Sequence, residues 1–97
     1  MAVQMHQGWQ NHETWVVADC IDKNPDTYRY RNDLCDQAEL MARRSDRAAE
    51  SHLAELLQTW IETNNPLADQ SGLYAELLKA ALAAVDWHEV AEVFLSD

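Results

Sequence analysis

The sequence contains few of the residues that interrupt or cross-link a chain. Two glycines and two prolines in 97 residues leave little material for the tight turns of a small β-protein. Gly8 and Gly72 lie too far apart for a loop that cradles phosphate groups. Cys20 and Cys35 do not form a C-x-x-C pair, and two cysteines are too few for a disulfide framework. We expect both to be reduced thiols within a helical core.

The sequence also lacks any recognisable targeting or membrane-spanning segment. Its first residues show no basic start followed by an apolar run, and no stretch approaches the roughly eighteen apolar residues of a membrane span. This predicts a cytoplasmic protein. An apolar fraction of 47% predicts one globular domain over residues 1–97. Residues 1–8 show no periodicity, so we expect a flexible lead-in there.

Positive charge is scarce, and it is unevenly distributed. Seventeen acidic residues face seven lysines and arginines, which gives a net charge of −10. Residues 48–97 contain nine acids and a single base, Lys79, whereas residues 1–47 contain eight acids and six bases. Such a charge disfavours direct binding to nucleic acid or to anionic lipid. It suits a basic partner, and a merely solvated acidic surface explains it equally well.

Helical periodicity is what the sequence does contain, and it predicts an all-α, compact bundle of about five short helices. Each helix is preceded by a residue that can act as its N-cap. The predicted N-caps are Asn11, Asn24, Ser45, Ser71 and Asp86. Glu89, three residues after Asp86, completes the pattern of a capping box.

Apolar residues at helical spacing predict which face of each helix points inward. The predicted inward faces are Trp15, Ala18 and Ile21; Arg31, Leu34, Cys35, Ala38, Met41 and Ala42; Leu53, Leu56, Leu57, Trp60 and Ile61; Tyr74, Leu77, Leu78, Ala81, Leu82 and Val85; and Trp87, Val90, Ala91 and Phe94.

Short motifs stand near the two ends of the chain. Residues 11–15 read N-H-E-T-W, and residues 85–92 read V-D-W-H-E-V-A-E. They resemble the N-aromatic-E-T-W and V-[ND]-W-x-E-[IV]-A-E signatures of a family of small uncharacterised proteins from phages, plasmids and bacterial genomes. His12 departs from the aromatic residue of that pattern. The resemblance implies no reaction. It implies a mobile-element setting, in which small acidic proteins often block host defence by occupying nucleic-acid-binding surfaces.

The motifs also have a structural interpretation. Asn11 and Asp86 are predicted caps, and Trp15 and Trp87 are predicted core anchors, since a tryptophan buries roughly 200 Å². Contact between the two rings would pack the first helix against the last. The alternative is that residues 11–15 form part of a binding surface.

We find no catalytic or metal-binding motif of useful specificity. Neither H-x-x-x-H nor H-E-x-x-H occurs. Ser51 and His52 are adjacent, so their side chains diverge by about 100° on a helix, and His52 is expected near the surface. The arginines between residues 29 and 47 alternate with aspartates and predict a mixed-charge face. We expect no enzyme activity, no cofactor and no metal.

The acidic residues of the second half are the better candidates for a binding site. We expect them to bind the basic surface of a host nucleic-acid-binding protein or complex, as a DNA mimic of the anti-CRISPR or anti-restriction type would. The alternative is a structural or oligomerisation module, monomeric or homodimeric, that uses a tryptophan-rich surface. The predicted partner-binding residues are Glu55, Glu62, Glu76, Glu89 and Glu92.

Overall fold

The computed structural model describes residues 8–96, so all of the expected lead-in except Gly8 lies outside the described residues. Within this range the chain forms five helices and no strand, which confirms the all-α prediction. None of the five is both long enough and apolar enough to cross a membrane. The helices are α1 His12–Lys23, α2 Pro25–Ala42, α3 Ala49–Thr63, α4 Leu73–Ala84 and α5 Trp87–Ser96.

The first two helices begin at the predicted caps. The side-chain oxygen of Asn11 accepts a hydrogen bond from the amide of Thr14 at 2.8 Å. The side-chain oxygen of Asn24 accepts from the amides of Asp26 at 2.8 Å and Thr27 at 3.3 Å. These bonds satisfy amides that have no partner within the first helical turn. A single residue therefore separates α1 from α2.

The predicted caps of α3 and α4 are wrong. The residue before α3 is Ala48, which provides no side-chain cap, while the Ser45 hydroxyl accepts from the amide of Arg47 at 3.1 Å. The residue before α4 is Gly72 rather than Ser71. Gly72 has a φ of 109°, in the left-handed region that favours glycine, so backbone conformation rather than a side-chain hydroxyl sets this boundary.

The core is built around α3, which packs against α2 and α5. Leu53 and Leu57 of α3 are completely buried, and the predicted inward faces of α3 and α5 are confirmed. Burial of one such leucine contributes about 1.5–3 kcal/mol. The buried residues of α5 are Trp87, Val90, Ala91 and Phe94.

The inward face of α1 differs from the prediction by one residue. Thr14, Ala18 and Ile21 are buried, whereas Trp15 is half-buried and stacks on His12 with ring centroids 5.6 Å apart. Positions 14, 18 and 21 also follow helical spacing. A threonine can occupy the core position because its hydroxyl is hydrogen-bonded there.

The orientation of α4 is the largest difference from the prediction. The predicted inward residues Leu78, Ala81 and Leu82 are half-buried and Val85 is buried. The prediction is wrong at Tyr74 and Leu77, which are 76% and 58% exposed, and it missed the buried Ala75. Apart from Glu76 and Lys79 the helix is almost wholly apolar or small. Its sequence therefore contains more than one apolar stripe, and periodicity alone does not select the inward one.

The cysteines only partly match the prediction. Both are free, but Cys20 is exposed and Cys35 is half-buried. In α2 the predicted inward residues Leu34 and Ala38 are buried, and Met41 is exposed. The α2 stripe thus points to the core for most of its length and leaves it at the last turn.

Candidate functional site

The two terminal motifs meet in the fold. The Asn11 side chain donates through Nδ2 to the carbonyl of Ala84 at 2.8 Å. Its Oδ1 accepts from the Thr14 hydroxyl at 2.6 Å. The same hydroxyl oxygen accepts from the amide of Asp86 at 2.9 Å. The start of α1 is therefore bonded directly to the segment that joins α4 to α5.

Residues of the second motif form further hydrogen bonds at the same place. The Asp86 carboxylate accepts from the amide of Glu89 at 3.1 Å, as the predicted cap requires. The Glu89 carboxylate does not bond back to the amide of Asp86, because Thr14 occupies that amide. It accepts instead from the amide of Gln10, at 3.1 and 3.2 Å. We call this network the terminal clasp, and its residues are Gln10, Asn11, Thr14, Ala84, Asp86 and Glu89.

The terminal clasp and the hydrophobic core together account for most of the motif residues by structure. Thr14 has no exposed surface, and Trp87 is 7% exposed in the core. We expected a contact between Trp15 and Trp87 to join α1 to α5. In the structure the hydrogen bond from the Asp86 amide to the Thr14 hydroxyl joins them. Within residues 8–96, Trp15 stacks on His12. The motifs thus act as interlocking caps, and only the second tryptophan is a core anchor.

Two of the five predicted acidic residues, Glu55 and Glu89, already bind other groups of the protein. Glu55 forms an ion pair with Arg47, and this guanidinium holds the pKa of Glu55 below its ordinary value. Both side chains are exposed, so the pair contributes little stability. Glu89 is engaged in the terminal clasp. Neither carboxylate is as available to a partner as its sequence position indicates.

Glu62 and Glu76 line the same groove, which has a volume of about 640 Å³ and lies between the end of α3, residues 65–70 and α4. Glu62 accepts a hydrogen bond from the side-chain amide of Gln58 at 3.1 Å, and Lys79 lies in the same groove. Within residues 8–96 neither glutamate forms a salt bridge. The groove therefore presents two accessible carboxylates beside neutral amides.

The fifth predicted residue, Glu92, is exposed on α5. It follows Glu89 by three residues, so the two occupy neighbouring positions on one side of the helix. The described contacts do not connect Glu92 with the groove of Glu62 and Glu76.

A pair that the sequence did not indicate lies at the turn between α2 and α3. The Ser45 hydroxyl is 2.8 Å from Nε2 of His52, and His52 is 7% exposed rather than on the surface. Its ring also lines a groove of about 390 Å³ between α2 and α3. The sequence feature that could have predicted the burial of His52 is its position directly before Leu53, at the edge of the apolar stripe of α3.

This hydroxyl–imidazole contact has the spacing of a nucleophile and a base. However, the Ser45 oxygen also accepts from the Arg47 amide, and no carboxylate in residues 8–96 hydrogen-bonds to His52. The same residues contain no group of three potential metal ligands. The pair fixes the turn that leads into α3.

Arg31 is the one basic side chain of the described range that is fully inside the fold. It is 2% exposed, and its guanidinium carbon lies 4.7 Å from the centre of the Tyr28 ring and 4.3 Å from that of Phe94. Its Nε is 3.6 Å from a carboxylate oxygen of Asp22. Arg31 therefore links α2 to α1 and α5, through its charge and its stacking on aromatic rings, and is not part of a nucleic-acid surface.

Comparisons with protein-family models, with curated proteins and with solved structures find no match to this chain. The groove of Glu62 and Glu76 combines two exposed carboxylates with a concave shape.

Proposed function

We propose that this protein acts by binding another protein, and that the bound surface is the basic surface of a nucleic-acid-binding protein or complex. The observation that supports the proposal most directly is the groove in which Glu62 and Glu76 lie together. Lys79 is the only base that accompanies them there. Exposed carboxylates in such a groove can accept hydrogen bonds from arginine side chains, which bind carboxylates in a bidentate manner.

The charge of the whole chain supports the same partner. With nine acids and one base, residues 48–97 create a negative potential around the groove. This potential accelerates encounter with a basic surface and opposes encounter with nucleic acid itself. Because the attraction acts through solvent, salt weakens it.

The motif resemblance to proteins of phages and plasmids points to a biological setting. In that setting we propose an inhibitor of a host-defence nucleoprotein, of the anti-CRISPR or anti-restriction type, acting in the host cytoplasm without catalysis. The terminal clasp serves the fold, and the groove serves the partner.

A pair of charge reversals tests the proposal against a matched control. Glu62→Lys with Glu76→Lys alters the groove, and Asp33→Lys with Asp36→Lys makes the same net change on the exposed side of α2. In a pull-down from host lysate at low salt, the parent and the α2 variant should capture a defence complex or another nucleic-acid-handling protein. The groove variant should not. About 0.5 M salt should release the captured protein.

Two results would contradict the proposal. One is capture of no nucleic-acid-handling protein by the parent at low salt. The other is equal loss of capture in the groove variant and the α2 variant, which would assign binding to net charge alone. Helical circular dichroism of both variants establishes that they remain folded.

The alternative function, self-association through tryptophans, lacks the observation that would favour it. Trp87 is buried, and Trp9, Trp15 and Trp60 are half-buried. No indole is therefore available as a large exposed anchor.

A further inference from the structure

The exposed side of α4 carries a continuous apolar stripe. Leu73, Leu77, Ala80 and Ala84 stand at i, i+4, i+7 and i+11, so they form one line within about 60° of helix rotation. All four are exposed, and the leucines are 69% and 58% exposed. Tyr74, which is 76% exposed, lies beside the stripe. Ala75, Leu78 and Leu82 point towards the rest of the protein.

The stripe contains no charged residue, although the chain has a net charge of −10. Glu76 borders the stripe, because it follows Leu73 by three residues and precedes Ala80 by four, and it also lines the groove described above together with Lys79. Contiguous exposed apolar side chains of this kind mark contact surfaces. A second copy can meet the stripe through its leucines and alanines while Glu76 stays exposed to solvent at the edge.

The order of residue sizes along the stripe favours a particular occupant. The first half carries leucines and the second half carries alanines. When two such helices pack antiparallel about a two-fold axis between Leu77 and Ala80, Leu77 lies opposite Ala80, and Leu73 lies opposite Ala84. Each large side chain then meets a small one, and the alanines permit close approach. A parallel pair would crowd leucine against leucine and leave a gap between alanines.

We propose that α4 is a self-association surface and that its partner is a second copy of this chain, packed antiparallel through the Leu73–Ala84 stripe. A surface that is complementary to itself is what a two-fold dimer requires. The stripe and Tyr74 offer on the order of 400 Å² per copy, about half of a standard interface. The dimer is consequently a weak and reversible one.

The dimer should respond to salt in the direction opposite to that of the proposed partner. Two copies with a charge of −10 each repel one another, and salt screens this repulsion. The dissociation constant of the dimer should therefore fall as salt rises, while binding to a basic protein weakens. No residue of the stripe lines the Glu62–Glu76 groove. Variants of Leu77 and Ala80 therefore test the dimer without changing the groove, and the two proposals can fail independently.

The experiment measures association of the full chain by sedimentation equilibrium, up to about 1 mM protein, at low and high salt. Leu77→Ala should leave a gap opposite Ala80, and Ala80→Leu should place leucine against leucine. Each single change should weaken the dimer about tenfold or more, since a two-fold axis repeats it twice. The double variant restores the large-to-small match and should associate within about threefold of the parent. Leu40→Ala, at a leucine of α2 that is 54% exposed, should have no effect.

A chain that stays monomeric at every concentration and salt overturns the proposal, whatever else covers the stripe. The proposal is also overturned if the double variant is weaker than both single variants, or if Leu40→Ala weakens association as much as Leu77→Ala. Glu62→Lys, which changes the groove on α3 and no neighbour of the stripe, should leave dimerisation intact. Loss of host-protein capture with an intact dimer therefore concerns the proposed function alone.

Discussion

The hydrogen bonds of Thr14 in the terminal clasp predict how much stability the protein loses when the Thr14 hydroxyl is removed. Thr14→Val keeps the side-chain branching and removes only the hydroxyl. That hydroxyl donates to Asn11 at 2.6 Å and accepts from the Asp86 amide at 2.9 Å. Thr14 has no exposed surface, so water cannot replace the lost oxygen without a rearrangement.

The magnitude follows from these two bonds. A net hydrogen bond contributes about 1 kcal/mol, and an amide left without an acceptor costs about 1–3 kcal/mol. We therefore expect Thr14→Val to lower the free energy of unfolding by about 2–3 kcal/mol, out of roughly 5–10 for a domain of this size. With about 4–8 °C per kcal/mol for a small domain, the Tm should fall by about 8–24 °C.

Thermal and urea unfolding followed by circular dichroism measure this change. Thr59→Val is the matched control, because Thr59 is an exposed residue of α3 and the same atoms are exchanged. The control should stay within about 0.5 kcal/mol of the parent. Equal stability of the Thr14 and Thr59 variants would refute the view that the clasp stabilises the fold.

Two further predictions concern other parts of the protein. Trp87→Ala should cost about 3–5 kcal/mol and lower the Tm by at least about 10 °C, whereas Asp86→Ala should cost only about 1 kcal/mol; a normal Tm with loss of partner capture would instead make Trp87 a binding anchor. Glu55→Gln should remove a small stabilisation that is present at neutral pH, because Arg47 holds the pKa of Glu55 low in the folded state. Urea titrations should show this difference shrinking as the pH falls below about 4.3 and through the lower folded pKa; a difference that grows on acidification would contradict the assigned ion pair.

The sequence predicted α3 and α5 well, because a single apolar stripe runs along each and the opposite side is polar. On α4 it was wrong at Tyr74 and Leu77, because that helix has more than one apolar stripe. It also failed at Ser45 and Ser71, where a hydroxyl stood near a helix start but the backbone did not bring it to the free amides. Periodicity identifies a face only where polar residues mark the other one.

The N-caps show which hydrogen bonds can be predicted from neighbouring residues and which cannot. Asn11 and Asp86 were predicted from neighbours within four residues, and both predictions hold. The bond between Thr14 and Asp86 joins positions 72 residues apart, and no local rule proposes it. Glu89 was assigned to a partner surface for the same reason: a sequence gives the charge of a carboxylate, and only the fold shows what already binds it.

The clasp also bears on where the function resides. If the motifs at both ends serve to join α1 to the start of α5, we expect any protein that carries both motifs to form the same hydrogen bonds, whatever its partner. Specific binding should therefore depend on residues between the motifs. The groove of Glu62 and Glu76 is formed by α3, residues 65–70 and α4, and it lies wholly within that interval. Exchanging this interval between proteins that carry both motifs should transfer the binding partner and leave the terminal clasp intact.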